Sequence, residues 1–555
     1  MSDYPDLPNA DLLDRIPLDA RVVLDVGCGT GALGAAYRPR NPRARLLGID
    51  QDREAAQIAA RRLDAVANVD VERNSLPFSL TSGIDCIVYG DVLEHLKEPF
   101  ALLARHAEAL SASGTMLICI PNVEHWSFAA HLLRGDWDYE NSGLLDRTHL
   151  RWFSLESMKR GLEALHLAPC DVHPRVFDPE RARAFAAALT PSLQLMGIDH
   201  QAYARRAAPL QYVWRVQRRP PVRMTVAATM LEPVGGVSHT RIVYPLQAMA
   251  TDPAITTLVL GEAEPLPSVA SETPRIVVLH RPVLNGAQGL DRLNRLFAAG
   301  WVVVTEFDDH PDFFTAMQGA DQLSFTGVHA VQTSTQALAD VLRGRNPEIR
   351  VFPNAIAALP EPRNFAEPFL TLFFGALNRE RDWQPLMGAL NAAAAAAGER
   401  LRFCVVHDRA FFDALDTHHK SFTPTCDHAT YLRLLGEAEI SFMPLADTGF
   451  NRAKSDLKFI EAAACRTAAL ASPVVYAETI EDGRTGLLFA GADELHDRLL
   501  RLVAMPDLAR TLGEAARAYV AAERMLAYQV AERIAWYRSL WERREGLTAA
   551  LRGRR

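Results

Sequence analysis

The chain has 555 residues, 49% of them apolar and 23% charged, with a net charge of −8. At about 100–200 residues per domain this makes three or four folding units, each able to bury a core, and global disorder is excluded. The negative balance argues against nucleic acid as the main partner, and no run of about 20 apolar residues offers a membrane span.

The start, MSDYPDLPNADLLD, is acidic and lacks the basic and apolar regions of a secretory signal. Seven cysteines (28, 86, 119, 170, 404, 426 and 465) form no C-x-x-C pair, which excludes a zinc ribbon or a disulfide scaffold and fits reduced cytosolic thiols. Apolar, β-rich runs alternate with helical stretches, the pattern of α/β units with parallel sheets. In the first series they are RVVLDVG (21–27), RLLGID (45–50), IDCIVYG (84–90), GTMLICIPN (114–122) and LQYVWRVQRR (210–219). Pro220-Pro221 then breaks the pattern, which places a boundary near 220. The second series is VRMTVAAT, TTLVLG (256–261), RIVVLH (275–280), WVVVTEFDD (301–309), AVQTS (330–334) and IRVFPN (349–354). A linker-like IAALPEPRNFAEP (356–368) follows, then LTLFFGA (370–376), RLRFCVV (400–406), ISFMPL (440–445) and AALASPVV (468–475). The end, 502–546, reads as helices. The expected units are 1–219, 222–360 and 367–555.

LDVGCGTGALG sets a glycine-rich turn directly after a buried strand. Gly27, Gly29 and Gly31 let the backbone turn tightly and approach a ligand closely. Gly29-x-Gly31-x-x-Gly34 also satisfies the dinucleotide fingerprint, and Asp50 lies at the distance of an acid that holds a ribose diol. Asp25 ahead of the first glycine suits a ligand carrying an ammonium group, whereas a carboxylate there repels the pyrophosphate of NAD.

With Asp25, Gly27, Gly29 and Gly31, the stretch resembles the first motif of class I S-adenosylmethionine-dependent methyltransferases. Leu46–Asp50 matches their second strand, with Asp50 on the ribose, and Asp70-Val71-Glu72 sits where they carry an adenine-contacting acid. Gly90-Asp91-Val92-Leu93-Glu94-His95-Leu96 matches the fourth-strand motif at the methionine end, which implies Asp91 and His95. Gly143 to Phe153 is similar to the substrate-side segment of a subgroup found among cell-surface glycan genes. The resemblance spans about residues 15–218. Such enzymes chiefly hold the methyl group in line with its acceptor. A hydroxyl acceptor gains from a base, for which His149 is the candidate, followed by His95 and His125. Structural roles for these histidines, orienting a loop or bridging Asp146 to the backbone, stand beside that reading.

After the boundary, MLEPVGGVSHTR is another glycine turn before a helix, without a G-x-G and without a following acid at the NAD distance. Two α/β units, a proline-rich linker and closing helices resemble the GT-B architecture of nucleotide-sugar glycosyltransferases. The stretches that carry this are Gly235-Gly236, Phe352-Pro353-Asn354-Ala355, Gly375, Asn451 to Glu461, and Ile480-Glu481-Asp482-Gly483 with Gly486 and Phe489, the ending of group 1 (family 4-like) transferases. Only five lysines stand against 54 arginines, and two of the five are Lys454 and Lys458. With Glu461 they are spaced i, i+4, i+7, as on one helical face. The resemblance implies Lys454 and Arg379 on the diphosphate of a UDP- or GDP-sugar, Lys458 beside them, and Glu461 on the ribose. An ordinary solvated Lys–Glu face is the plainer alternative.

Two features depart from the family. Ala453 stands eight residues before Glu461, where a second glutamate is usual, and the usual Gly-Arg loop is altered to Gly375-Ala-Leu-Asn378-Arg379. Glu306-Phe307-Asp308-Asp309-His310 follows a first-unit strand, with Asp308 a candidate base. No metal is expected.

The whole is expected to be α/β: a Rossmann-like methyltransferase domain followed by two Rossmann-like units of a GT-B glycosyltransferase. The expected enzyme is bifunctional and cytoplasmic, building and O-methylating a bacterial surface glycan from S-adenosylmethionine and a nucleotide-sugar. Its expected partner is a glycan or lipid-linked glycan acceptor, with peripheral contact at the inner membrane face left open. A methyltransferase whose second half is a non-catalytic glycan-binding module is the first alternative, and an NAD-dependent first half the second.

Overall fold

The structure is a computed structural model that describes residues 6–230, 235–261, 264–319, 322–363, 365 and 368–554. Turn residues 231–234 ahead of Gly235, and residues 364, 366 and 367 of the expected linker, lie outside the described residues. The chain divides into two compact units, Met1–Arg223 with Thr251–Ala254, and Met224–Ala250 with Ile255–Arg555.

The first unit is built on β1 (Val22–Val26), β2 (Arg45–Asp50), β3 (Ala65–Asn68), β4 (Ile84–Gly90), β5 (Leu110–Pro121), β6 (Ala168–Arg175) and β7 (Gln211–Gln217). Their order is β3-β2-β1-β4-β5-β7-β6, and β7 runs antiparallel to both its neighbours. Side chains alternate between two apolar layers: Leu24, Val26, Ile87 and Tyr89 enter one, Val23, Cys86 and Val88 the other. A sheet covered on both faces explains why β1 and β4 read as continuous apolar runs. Strand order reverses between β1 and β4, so the crevice beyond their carboxyl ends is where such a sheet binds a ligand.

The second unit holds two six-stranded parallel sheets. One contains β8 (Met224–Met230), β9 (Ile255–Gly261), β10 (Arg275–His280), β11 (Val302–Glu306), β12 (Ala330–Thr333) and β13 (Ile349–Val351), in the order β13-β12-β11-β10-β8-β9. The other contains β14 (Leu370–Gly375), β15 (Leu401–Val406), β16 (Lys420–Thr423), β17 (Ile440–Met443), β18 (Ala468–Ala471) and β19 (Leu487–Leu488), in the order β16-β15-β14-β17-β18-β19. The late helix Val530–Glu542 returns to the first of these sheets: Tyr537 donates its hydroxyl to Gln332 at 2.7 Å and Trp536 stacks edge-on with Phe352.

The fold is the expected α/β one, with parallel-sheet Rossmann-like units. The strands that the sequence does not announce, β3, β6, β16 and β19, all lie at sheet edges. Edge strands need neither a continuous apolar run nor every ladder donor, and β6 accordingly carries two prolines, Pro169 and Pro174. Among the described residues, no helix is long and apolar enough to cross a membrane.

Candidate functional site

At the carboxyl end of β1 the chain turns through Gly27, Gly29 and Gly31 with φ of 73°, 50° and 79°, left-handed values that favour glycine. At Gly27 there is also no room: a Cβ would lie 2.4 Å from Val92 Cγ2. The turn is tied to β2, since Gly27 and Cys28 donate to the Ile49 carbonyl and Gly29 N–H donates to Asp50 Oδ2 at 2.8 Å. The other Asp50 oxygen accepts from Asp52 N–H. These bonds set Asp50 at the tip of its strand with lone pairs to spare, since a carboxylate accepts about four hydrogen bonds.

A cavity of about 1180 Å³ opens here, lined by Asp25, Gly27, Gly29, Asp50, Asp70, Asp91, His95 and His149 among others. Gly31 turns the chain beneath it rather than lining it, packing toward Ala59. Asp25 is buried, and burial together with the nearby Asp50 pushes its carboxyl up to about 7. Such a group ionises readily once a cation approaches. Asp70 accepts from Glu72 N–H, and Glu72 in turn accepts from the amides of Lys97 and Glu98. Asp91, at φ 56°, accepts from the Gln211 side chain.

At the far end His95 and His149 meet edge-on, 4.9 Å between ring centroids. Burial, then the neighbouring His95, pushes His149 down, so it is neutral at physiological pH and offers a lone pair. Glu94, beside them in the 3-10 turn Leu93–His95, is fully buried. His125 is placed otherwise than expected of a reserve base. It caps the helix Trp126–Arg134 and bonds Ser127 Oγ at 2.7 Å. Glu94 and Thr148 belong to motifs visible in the sequence, but no pattern there singles them out.

In the second unit the expected residues fall into two groups. In the first, Lys458 donates to the carbonyl of Gly375 at the end of β14 and lies 3.4 Å from the Tyr431 hydroxyl. Burial pushes the Lys458 ammonium down and the Glu461 carboxyl up, each opposed by the other's charge. A Cβ on Gly236 would come within 2.6 Å of the His428 ring and 3.6 Å of Glu461. His428, pushed down to about 4 by burial and by His239, stacks on His239 and lies 3.9 Å from Glu461. It is thus a neutral neighbour, not an ion-pair partner. Gly235 opens the short helix Gly235–Ser238.

The second group gathers at Phe450. Arg379 donates to Asn451 Oδ1 at 2.9 Å and to Asp382, and Lys454 Nζ lies 4.2 Å from the Phe450 ring centroid. Lys454 pairs with Asp309 at 2.7 Å. Two expectations change here. Lys454 does not share a helical face with Lys458 and Glu461, because one helix ends at Arg452 and the next begins at Leu457. Asp308 is not poised as a base: burial pushes its carboxyl up, but the Arg281 guanidinium at 2.7 Å outweighs this and holds it below the usual range. Ala453, where a second glutamate is usual, is buried, and its carbonyl accepts from Thr335. The rings of His239, His428, Tyr431 and Phe450 are contributors that the sequence reading missed, since isolated aromatics carry no spacing signal.

A family model described as "Methyltransferase domain" matches residues 24–116, and one described as "Glycosyl transferase-like" matches residues 386–535. Over 116 residues the chain is 34% identical to trans-aconitate 2-methyltransferase of Methylobacterium nodulans, covering 21% of this chain and 44% of that enzyme. The Escherichia coli enzyme of that name is 28% identical over 136 residues, covering 24% and 52%. The chain therefore spans about half, or less, of the length of these relatives. Among solved structures, sucrose-phosphate synthase of Thermosynechococcus elongatus aligns at 17% identity and TM-score 0.42, covering 58% of this chain and 100% of its own. The plantazolicin methyltransferase BpumL, solved with SAH, aligns at 20% identity and TM-score 0.26, covering 38% and 84%.

Proposed function

From a methyltransferase domain in its N-terminal part and a glycosyl transferase-like domain in its C-terminal part, we propose that this chain methylates a glycan hydroxyl with S-adenosylmethionine and transfers a sugar from a UDP- or GDP-sugar. The reading places it in bacterial surface-glycan synthesis, in the cytoplasm, on a glycan or lipid-linked glycan acceptor. The carrying observation is the first-unit cavity, where left-handed Gly27 and Gly29, Asp25 and Asp50 face the same space as His95 and His149.

The residues fit the cofactor. A close-approach cradle at Gly27 that a Cβ would fill suits the amino-acid end, and Asp25 answers its ammonium. Asp50 retains acceptor capacity for ribose hydroxyls, with Asp70 farther out for the base. S-adenosylmethionine, when bound, supplies an already activated methyl group. The chain's part is to orient the acceptor and relieve its hydroxyl of a proton, near the lone pair of neutral His149. In the second unit, Lys458, Glu461 and Gly375 form one end of the proposed donor site, and Arg379 and Lys454 the other.

A second reading treats the second unit as a glycan-binding module without transfer activity. It is favoured by Ala453, by the commitment of Asp308 to Arg281 and by the pairing of Lys454 with Asp309. Calorimetry of the full chain with S-adenosylmethionine, NAD, UDP and GDP separates these readings. Binding of S-adenosylmethionine and one nucleotide is expected, and NAD binding more tightly than S-adenosylmethionine would overturn the first half. Turnover with a donor library then decides between transferase and binding module.

A further inference from the structure

We propose that Glu94, His95 and His149 form a binding site for a divalent first-row transition-metal ion at the acceptor end of the first-unit cavity. One carboxylate oxygen and two imidazole nitrogens from these residues lie within 4.8 Å of one another. Bonds of about 2.0–2.2 Å to such an ion hold its ligands roughly 3–4.4 Å apart, so side-chain shifts of at most about an ångström close the set. No metal is expected from the sequence, where the glycosyltransferase resemblance leaves the diphosphate to side chains and helix N-termini, and nothing in its spacing joins His149 to Glu94 and His95.

Unpaired polar atoms argue for a missing occupant. Both carboxylate oxygens of Glu94, a residue 1% exposed, lack a hydrogen-bond partner, and so does Nδ1 of His149, 8% exposed. Native interiors rarely leave such atoms unsatisfied, and an ion would give the Glu94 carboxylate and the His149 nitrogen a common partner.

The surroundings supply the second requirement, ligands held in the right form. Thr148 Oγ1 lies 2.6 Å from Asp146 Oδ1 and 3.0 Å from His95 Nδ1. A carboxylate only accepts, so the single hydroxyl proton goes to Asp146, and His95 Nδ1 must be the donor to Thr148. The lone pair of His95 is therefore on Nε2. This chain of carboxylate, hydroxyl and histidine is the outer shell that fixes a ligand tautomer. The amides of Leu150 and Arg151 both donate to the Glu94 carbonyl, at 2.7 and 3.0 Å, and so hold the His149 segment against Glu94.

Two imidazoles and one carboxylate favour a transition ion over magnesium or calcium, whose ligands are all oxygen, and they leave coordination positions open. An ion there would engage the His149 lone pair and take over the base's part, polarising an acceptor hydroxyl in an open position so that its proton would leave to water. That role rests on the methyl-transfer reading, whereas ion binding itself does not.

The full chain, stripped with chelator, is titrated with Mn²⁺ by calorimetry, and pulsed EPR of the loaded protein reads nitrogen couplings from coordinated imidazole. The expected result is one ion per chain with imidazole couplings. Glu94→Gln, His95→Gln and His149→Gln should each weaken affinity more than about tenfold, and Thr148→Val should weaken it by a smaller factor. Absence of a stoichiometric ion, absence of imidazole couplings in the unaltered chain, or unchanged affinity in all three ligand variants would overturn the site. S-adenosylmethionine binding by the stripped chain, measured in parallel, reports on the methyltransferase reading separately.

Discussion

Lys454 reaches across from the segment after β17 to pair with Asp309, in the loop after β11, at 2.7 Å. The pair joins the two sheets of the second unit beside two further links, from Asn354 to Ser455 and from Arg524 to the Asn354 carbonyl. A lysine so engaged serves a diphosphate only by leaving its partner. Asp309→Asn is therefore expected to tighten UDP or GDP binding, while Lys454→Ala weakens it by roughly 1.5–3 kcal/mol, the range for a hydrogen bond to a charged group. Calorimetry checks both, and a parallel loss in the two variants would make the pair a structural clasp.

Glu461 is buried beside half-buried Lys458, and the charge of each supports the other's, so removing the lysine withdraws that support from the carboxyl. Lys458→Met should therefore lower unfolding free energy, with much of the loss recovered in the double variant Lys458→Met/Glu461→Gln. Urea unfolding of the four proteins measures the coupling. Simple additivity would show that the two residues do not interact.

Asp25 makes S-adenosylmethionine binding dependent on pH. Its folded value, about 7, lies above the ordinary 3.8. The folded state therefore holds the proton more tightly than the unfolded state between these values, and stability from this group declines as pH rises through that window. Ligand binding has the opposite sense, because the ammonium needs the ionised carboxylate. Affinity should fall about tenfold per pH unit below about 7 and level off above it. In Asp25→Asn that slope should vanish along with most of the affinity, and a flat profile in the unaltered chain would reject the assignment.

Gly27→Ala should abolish S-adenosylmethionine binding and leave nucleotide binding intact, because its Cβ would meet Val92 at 2.4 Å and its φ is left-handed. Asp50→Ala removes the acceptor of Gly29 N–H and should loosen the same turn. Retention of S-adenosylmethionine affinity in both variants would exclude this turn as the cofactor cradle.

Local chemistry determined much of this protein before any folding is considered. Glycines at 27, 29 and 31 announce a turn that only they can make, and the continuous apolar runs of β1, β4, β8 and β14 announce strands covered on both faces. Asp25 and Asp50 could be placed because they sit at the carboxyl ends of β1 and β2. Short range also sets the limits of such reading. Helical spacing joins Lys454 to Glu461 on paper, yet the chain breaks between Arg452 and Leu457, and the lysine turns to an aspartate 145 residues away. Glu94 and His149 meet only because Leu150 and Arg151 bond to the Glu94 carbonyl, and Asp308 is removed from base duty by an arginine on another strand's loop. Charge pairing and the satisfaction of buried polar atoms act through space, so they emerge only once the sheets have assembled.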